Sequence, residues 1–209
     1  MLPERAETLR RTLAMRTRYV TICTENMFHP HNASALLRNC DAFGVQEMHA
    51  VQELCDFKPN KMIVRGTDQW IDLHRHPSTA DALAGLRQRG YRIVATTPRR
   101  GDFTPEDFPV EEAPFALLLG TEHAGITPET LDAADAFLQI PMCGFVESLN
   151  VSASAAVMLY ILTRRLRRSE VAWQLTGEDA AEVLFRWMIA TVRDAERILG
   201  VRFKDEELL

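Results

Sequence analysis

The feature that most constrains the fold of this chain is the alternation of short strand-like segments and longer helical segments along its length. Apolar and β-branched residues cluster in five segments that predict strands, at 18–24, 47–51, 91–97, 115–119 and 136–140. The fourth of these (FALLL) is apolar at every position, which is typical of a strand covered on both faces. The alternation therefore predicts an α/β fold in which helices flank a mostly parallel sheet.

Helices are expected between these strands and near both ends of the chain, at 3–16, 33–43, 79–89, 128–134, 149–168 and 178–199. Gly44 and Gly90 directly follow two of these segments, and glycine is the preferred residue just beyond a helix C-terminus. Asn32 and Ser148 each precede a helical segment and are interpreted as N-caps. The segment 61–70 has no clear periodicity and is expected to be irregular.

Composition and cysteine usage limit the class of protein. Of the 209 residues, 46% are hydrophobic, which is enough to bury a substantial core. No apolar run reaches the ~18–20 residues of a membrane span. The charged N-terminus has no apolar signal core, so we expect a cytoplasmic protein without membrane contact. The four cysteines form no CxxC pair and are expected to be buried thiols, without a metal or disulfide role.

Several common site motifs do not occur in the sequence. The first strand is not followed by a glycine-rich turn, and GTEHAG at 120–125 has Ile126 where a phosphate-binding loop needs lysine. The segment GFVES lacks the GxSxG spacing of a hydrolase. The pairs His29-x-His31 and His74-x-His76 have no neighbouring ligands at metal-site spacing, so no metal is expected.

Three segments carry polar residues just after predicted strands or at the start of a helix: HPHNASALLRNCDAFGV (29–45), LLLGTEHAGIT (117–127) and IPMCGFVESLNVSASAAV (140–157). α/β proteins bind ligands beyond the carboxyl ends of their strands, where Glu122 is expected. Glu147, Ser148 and Asn150 add more polar groups at a helix start than capping requires, which indicates a pocket. The alternatives are a simple cap for Asn32, a surface salt bridge for Arg38 and a solvated carboxylate for Glu122.

Together the three segments resemble, in order and spacing, the three motifs of the SpoU (TrmH) family of RNA 2′-O-ribose methyltransferases, which belongs to the SPOUT class. The resemblance spans most of residues 18–168, and SLNVS at 148–152 is intact. The basic N-terminal helix and the helix after the last motif resemble the tRNA branch of the family, which methylates guanosine 18 of the D-loop. The resemblance implies a deep C-terminal trefoil knot, which periodicity alone could not indicate.

The resemblance also implies a reaction, a cofactor and partners. It implies that a homodimer methylates a ribose 2′-hydroxyl of tRNA with S-adenosylmethionine. The residues implied for catalysis are Asn32, Arg38, Glu122, Ser148 and Asn150. Those implied for cofactor binding are Thr97, Gly120, Ile140, Met142 and Leu149. Those implied for binding RNA phosphates are Arg5, Arg10, Arg11, Arg16 and Arg18.

Two roles for Arg38 remain open. It either deprotonates the ribose hydroxyl with the help of an RNA phosphate, or it binds a phosphate and stabilises the developing alkoxide. The domain organisation expected from the resemblance is a basic RNA-contacting helix at 1–17, a methyltransferase domain at 18–168 and a helical extension at 169–209.

Other functions remain possible at this point. One is the same chemistry on ribosomal RNA or on another tRNA position, although residues 1–17 are too few for the separate RNA-binding domain common among relatives that act on rRNA. A second is a non-catalytic RNA-binding protein, and a third is an enzyme acting on a small molecule. No DNA partner is expected.

Overall fold

The computed structural model describes residues 3–99, 101–121 and 124–192. Within these residues one six-stranded sheet has the order β3-β2-β1-β5-β4-β6, and every neighbouring pair is parallel. The strands are β1 Val20–Glu25, β2 Glu47–Val51, β3 Asp72–His76, β4 Arg92–Thr96, β5 Phe115–Leu119 and β6 Ala136–Leu138. This confirms the predicted α/β architecture with a parallel sheet. The implied trefoil knot stays a prediction.

Seven α-helices and one short 3₁₀ helix lie within the described residues. The helices are α1 Pro3–Leu13, α2 Pro30–Phe43, α3 Lys61–Val64, α4 Thr79–Gln88, α5 Pro128–Ala133, α6 Val151–Leu166 and α7 Gly177–Thr191, with the 3₁₀ turn at Thr67–Trp70. None of these helices is long and apolar enough to cross a membrane. The part of the last predicted helix at 193–199 lies outside the described residues.

The centre of the sheet is buried on both faces. Ile22 and Leu117 pack on the face that α2 and α6 cover, whereas Cys23 and Leu118 pack on the face that α4 covers. Full burial of a leucine or isoleucine side chain contributes about 1.5–3 kcal/mol, so β1 and β5 supply much of the core stability. Because β5 is apolar on both faces, its pattern was readable from the sequence.

The edge strand β3 was missed in the sequence. Its residues, DLHRH, pair only with β2, and most of their side chains are partly or fully exposed. A strand with one neighbour and little burial needs no apolar pattern, so periodicity could not indicate it. Similarly, the segment expected to be irregular at 61–70 contains α3 and the 3₁₀ turn.

Two predicted helix starts were wrong. Helix α2 begins at Pro30, with His29 as the N-cap residue, because proline at the first helical position has a suitable fixed φ angle. Asn32 therefore lies inside the first turn of α2. Helix α6 is capped by Asn150 and not by Ser148, since the Asn150 side-chain oxygen accepts the first free N–H groups of the helix.

Helices α1 and α7 pack on each other at one end of the sheet. Leu9 and Leu13 of α1 form a cluster with Val183 and Trp187 of α7. The ring of Trp187 also meets Trp70 edge to face, with 5.7 Å between centroids. The two segments expected to flank the central domain thus share one small core, and the proposed three-part division itself stays a prediction.

Candidate functional site

A cavity of about 800 Å³ opens at the carboxyl ends of β4, β5 and β6. The loops that follow these strands form its walls, and the first turn of α6 closes one side. Its volume lies in the range typical of small-molecule sites. Apolar side chains from several elements line part of the wall, namely Leu119, Ile126, Leu131, Phe137, Val151 and Met158.

All five residues predicted to bind a cofactor line this cavity. Thr97 follows β4, Gly120 follows β5, and the others lie between β6 and α6: Ile140, Met142 and Leu149. These residues come from three separate loops, so the parallel topology brings them together at one edge of the sheet. Their position is compatible with cofactor binding, and the binding itself stays a prediction.

The loop after β5 is folded tightly on itself. Thr121 and Gly125 exchange two backbone hydrogen bonds of 3.0 and 3.1 Å. A Cβ atom added to Gly120 would lie 2.0 Å from the carbonyl carbon of Gly125, so only glycine fits there. Gly125 itself has a φ of 75°, in the left-handed region that favours glycine. Glu122, predicted to be catalytic, lies outside the described residues.

A buried carboxylate that sequence reasoning missed anchors this loop. Glu25 ends β1 and is fully buried. Its oxygens accept hydrogen bonds from the backbone N–H of Thr127 at 2.9 Å, from the Thr127 hydroxyl at 2.6 Å and from the Thr130 hydroxyl at 2.5 Å. Glu25 thereby ties the start of α5 to the centre of the sheet. A glutamate at the end of an otherwise uncharged and buried strand was the available signal.

The first and third motifs meet at the start of α6. The Asn150 amide donates a hydrogen bond of 3.0 Å to the side-chain oxygen of Asn32, although 118 positions separate the two residues. The Asn150 oxygen accepts from the Ser152 N–H at 2.9 Å and from the Ser152 hydroxyl at 2.6 Å. Ser148, also predicted to be catalytic, lines the cavity next to this pair.

Asn39 adds a second link between α2 and α6. Its amide donates to the backbone carbonyl of Ser152 at 2.8 Å. Asn39 lies seven residues after Asn32, so the two side chains share one face of α2. Sequence reasoning missed Asn39, and its spacing from Asn32 was the signal that could have found it.

Arg38 lies away from the cavity. Its side chain is exposed, and its guanidinium donates to the carbonyl of Ile63 in α3 at 3.1 Å. Six residues span roughly 600° of helix rotation, which points Arg38 and Asn32 in different directions. The structure therefore brings Asn32, Ser148 and Asn150 together within one chain, and Arg38 does not join them.

The five arginines predicted to bind RNA fall into two groups. Three lie exposed on α1: Arg5, Arg10 and Arg11. Arg16 is 1% exposed, forms an ion pair with Asp41 and lies 5.1 Å from the ring centre of Trp187. Arg18 pairs with Asp72 at 2.7 Å and with Asp179 at 2.9 Å. Arg16 and Arg18 therefore hold the fold together, and their expected role as free phosphate ligands does not fit these positions.

A separate polar cluster surrounds Glu47 on the face of β2 and β3. Glu47, His49 and His74 lie close enough together to resemble metal ligands. The Glu47 carboxylate, however, already accepts hydrogen bonds from Arg89 at 2.6 Å and from the Tyr91 hydroxyl at 2.7 Å. Burial alone would raise the pKa of Glu47, but hydrogen bonds from the two histidines and the Arg89 charge outweigh it and hold that pKa far below its usual range. A cation at this position would have to compete with Arg89.

Comparison with known proteins places the chain in one family. Residues 19–160 match the model of the SpoU rRNA Methylase family. The chain is 39% identical over 168 residues to the tRNA (guanosine(18)-2'-O)-methyltransferase of Thermus thermophilus, which covers 78% of this chain and 85% of that protein. It is 30% identical over 195 residues to the protein of the same name from Borreliella burgdorferi, and the matched region covers 93% of this chain and 89% of that protein.

Solved structures give the same result. The A. aeolicus TrmH/SpoU tRNA modifying enzyme superposes with a TM-score of 0.77 at 28% identity, covering 91% of this chain and 98% of that one. An AdoMet-bound rRNA methyltransferase from Sinorhizobium meliloti superposes with a TM-score of 0.63 at 26% identity, covering 76% and 60%.

Proposed function

Because the chain belongs to the SpoU rRNA methylase family, we propose that it transfers a methyl group from S-adenosylmethionine to the 2′-hydroxyl of guanosine 18 in the tRNA D-loop. The names of the T. thermophilus and B. burgdorferi relatives support the choice of substrate. The observation that carries the proposal is the cavity at the ends of β4, β5 and β6, beside which the Asn32–Asn150 hydrogen bond joins two motifs.

The cavity fits the proposed cofactor. Its apolar walls suit an adenine ring and the methylene groups beside the sulfonium, and Gly120 lines the wall without a side chain. The residues that would hold S-adenosylmethionine are Thr97, Gly120, Ile140, Met142 and Leu149. When bound, the cofactor would supply a methyl carbon for attack by the ribose oxygen, with the carbon–sulfur bond breaking to leave S-adenosylhomocysteine and the 2′-hydroxyl losing its proton.

The side chains at the start of α6 would position the ribose. Methyl transfer is an in-line displacement, so correct placement of the attacking oxygen supplies a large part of the rate. The Ser148 hydroxyl and the Asn150 amide lie on the cavity wall and offer hydrogen bonds to ribose hydroxyls. Asn32 fixes the orientation of the Asn150 amide by accepting one of its protons.

Arg38, which lies away from the cavity, would bind a phosphate of the bound RNA. Arginine side chains keep their proton in proteins, which makes them poor bases and strong phosphate ligands. An exposed guanidinium held by one bond to the Ile63 carbonyl is free to turn towards RNA. We expect Arg38→Ala to abolish transfer while S-adenosylhomocysteine still binds, as measured by calorimetry. Equal loss of transfer and binding would instead assign Arg38 to the fold.

The exposed arginines of α1 would add affinity for tRNA. Arg5, Arg10 and Arg11 lie on the surface of a helix whose apolar side packs on α7. Ion pairs with phosphates release counterions, so tRNA affinity should fall as salt rises, and less steeply in a variant with all three arginines changed to glutamine.

We also propose that the chain acts as a homodimer. Exposed apolar side chains lie on α6 and in the loop before it, namely Phe145, Val146, Leu149, Val157 and Tyr160. Val157 and Tyr160 are three residues apart on α6 and so face the same side. Sedimentation equilibrium should give twice the chain mass for the parent and a shift towards monomer for Val157→Glu. A parent that stays monomeric at micromolar concentration would overturn the dimer.

The decisive test of the function is methyl transfer to a defined RNA. The protein would be incubated with methyl-labelled S-adenosylmethionine and an unmodified tRNA transcript, and the labelled nucleotide mapped. The matched control is the same tRNA with 2′-deoxyguanosine at position 18, which lacks only the acceptor oxygen. Label at guanosine 18 supports the proposal, and label elsewhere in the tRNA overturns the substrate. No label despite cofactor binding would favour ribosomal RNA or a non-catalytic role.

A further inference from the structure

The cavity at the ends of β4, β5 and β6 carries three charged side chains that no step above uses. Among the described residues that line it, the charged ones are one arginine and two acidic residues, Arg99, Asp132 and Glu147. None of the three forms an ion pair with another described residue. Charged groups that face a cavity without partners are candidates for ligand recognition.

The turn that carries Arg99 is fixed against the segment that follows β6. The Arg99 N–H donates to the Thr97 hydroxyl at 3.2 Å. The Gln139 amide donates to the carbonyl of Pro98 at 2.5 Å. A Cβ atom added to Gly101 would lie 2.6 Å from the Cβ of Gln139, so the backbone at Gly101 packs directly against the Gln139 side chain. These contacts hold the backbone of Arg99 at the cavity wall.

The charges of the cavity complement those of the proposed cofactor. At neutral pH S-adenosylmethionine carries one carboxylate, one ammonium group and one sulfonium, and its adenosine part is neutral. The described wall offers the opposite set, one guanidinium and two carboxylates. Opposite charges placed across a binding surface orient a ligand, and a charged hydrogen bond formed between them adds to its affinity.

We propose that Arg99 binds the carboxylate of the amino-acid part of S-adenosylmethionine. The inference rests on the proposed function and adds a charged side chain to the residues expected to hold the cofactor. A guanidinium suits this role because its N–H groups match the two oxygens of a carboxylate. The other two charged side chains on the described wall, Asp132 and Glu147, are acidic, so Arg99 is the cation among the described lining residues.

The test compares two ligands that differ by the amino-acid part. S-adenosylhomocysteine has the carboxylate, and 5′-methylthioadenosine has the same adenosine and thioether without it. Calorimetry would measure both with the parent and with Arg99→Gln, Arg99→Lys and Arg75→Gln. Arg75 is a matched control, since it is an exposed arginine in β3 at the opposite edge of the sheet from β6.

We expect Arg99→Gln to raise the Kd of S-adenosylhomocysteine about tenfold, as for loss of a charged hydrogen bond, with little change for 5′-methylthioadenosine. Arg99→Lys should recover part of the loss, and Arg75→Gln should change neither Kd. Unchanged binding of both ligands to Arg99→Gln would overturn the proposal. Equal weakening of both would overturn it as well, because Arg99 would then act on the shape of the cavity.

Two further outcomes separate this inference from the proposed function. If Arg99→Gln binds S-adenosylhomocysteine normally and loses only tRNA affinity in a filter assay, Arg99 contacts RNA and the proposal fails while the function stands. If the parent binds neither nucleoside, the proposed function fails and this proposal fails with it.

Discussion

The stability of α6 and the geometry of the site both depend on the side chain of Asn150. Its oxygen accepts from the N–H groups of Ser152 and Ala153 at 2.9 and 3.4 Å, and its amide donates to Asn32 at 3.0 Å. Asn150→Ala removes all of these bonds. Asn150→Asp keeps an acceptor for the helix and removes the amide donor. The pair of variants therefore separates capping from the function of the amide.

The contacts of Asn150 give the expected magnitudes. Loss of an N-cap costs about 1 kcal/mol of stability. Loss of the bond to the nearly buried Asn32 adds about 1 kcal/mol. Asn150→Ala should therefore lower the free energy of unfolding by about 2 kcal/mol, or roughly 4–8 °C in Tm for a chain of this size. Asn150→Asp should lose only about 1 kcal/mol, because a carboxylate still caps the positive end of the helix but cannot donate to Asn32.

Urea denaturation followed by circular dichroism would measure stability, and methyl transfer to the tRNA transcript would measure activity. We expect both variants to lose about 100-fold in rate, since each lacks the oriented amide that would position the ribose. Full activity of Asn150→Asp would refute the role of the amide in the site. An unchanged stability of Asn150→Ala would refute the capping argument.

Three further changes should have measurable effects. Gly120→Ala puts a Cβ 2.0 Å from Gly125, so S-adenosylhomocysteine binding should weaken more than about tenfold in calorimetry. Gly144→Ala is the control, because a Cβ atom at Gly144 would have no atom within 4 Å. Equal loss of S-adenosylhomocysteine binding in the two variants would contradict the steric reason given for Gly120. Glu25→Gln replaces one carboxylate oxygen with an NH₂ group, which cannot accept a hydrogen bond from Thr127 or Thr130. The free energy of unfolding in urea titrations should therefore fall by about 2 kcal/mol. An unchanged value would refute the role of Glu25 in anchoring the start of α5. Burial lowers the pKa of His76 to about 4, below the ~6.5 of an unfolded chain, so the unfolded state gains the proton first as pH falls. The free energy of unfolding should therefore decline from pH 6.5 to 4, and the decline should be less steep in His76→Asn. Equal declines in the parent and the variant would refute the contribution of His76.

The central part of the fold could be predicted because its signals are local. The all-apolar strand at Phe115–Leu119 and the helix end at Gly44, with a φ of 76°, depend on burial and on backbone preference, and both are visible in the residue types. The edge strand Asp72–His76 could not be predicted, because only its pairing with β2 makes it a strand.

The candidate site could be predicted in part, through the resemblance of its motifs. The five expected cofactor residues line one cavity, although only the parallel topology places the loop at Gly120 beside the loop at Met142. The partner of Asn150 could not be predicted, because Asn32 lies 118 positions away. Glu25 was missed because its three donors come from the N-cap residue and the first turn of α5, about a hundred positions further along the chain.

The arginines near the N-terminus show most clearly what each level determines. The sequence alone made this region basic and gave α1 an apolar side that must be buried, since local charge and periodicity are properties of neighbouring residues. The tertiary structure alone decided that Arg10 and Arg11 face solvent while Arg16 is enclosed between Asp41 and Trp187. A guanidinium is soluble in water and also stable inside when a carboxylate and an aromatic ring surround it, so its location depends on which distant residues the fold brings to it.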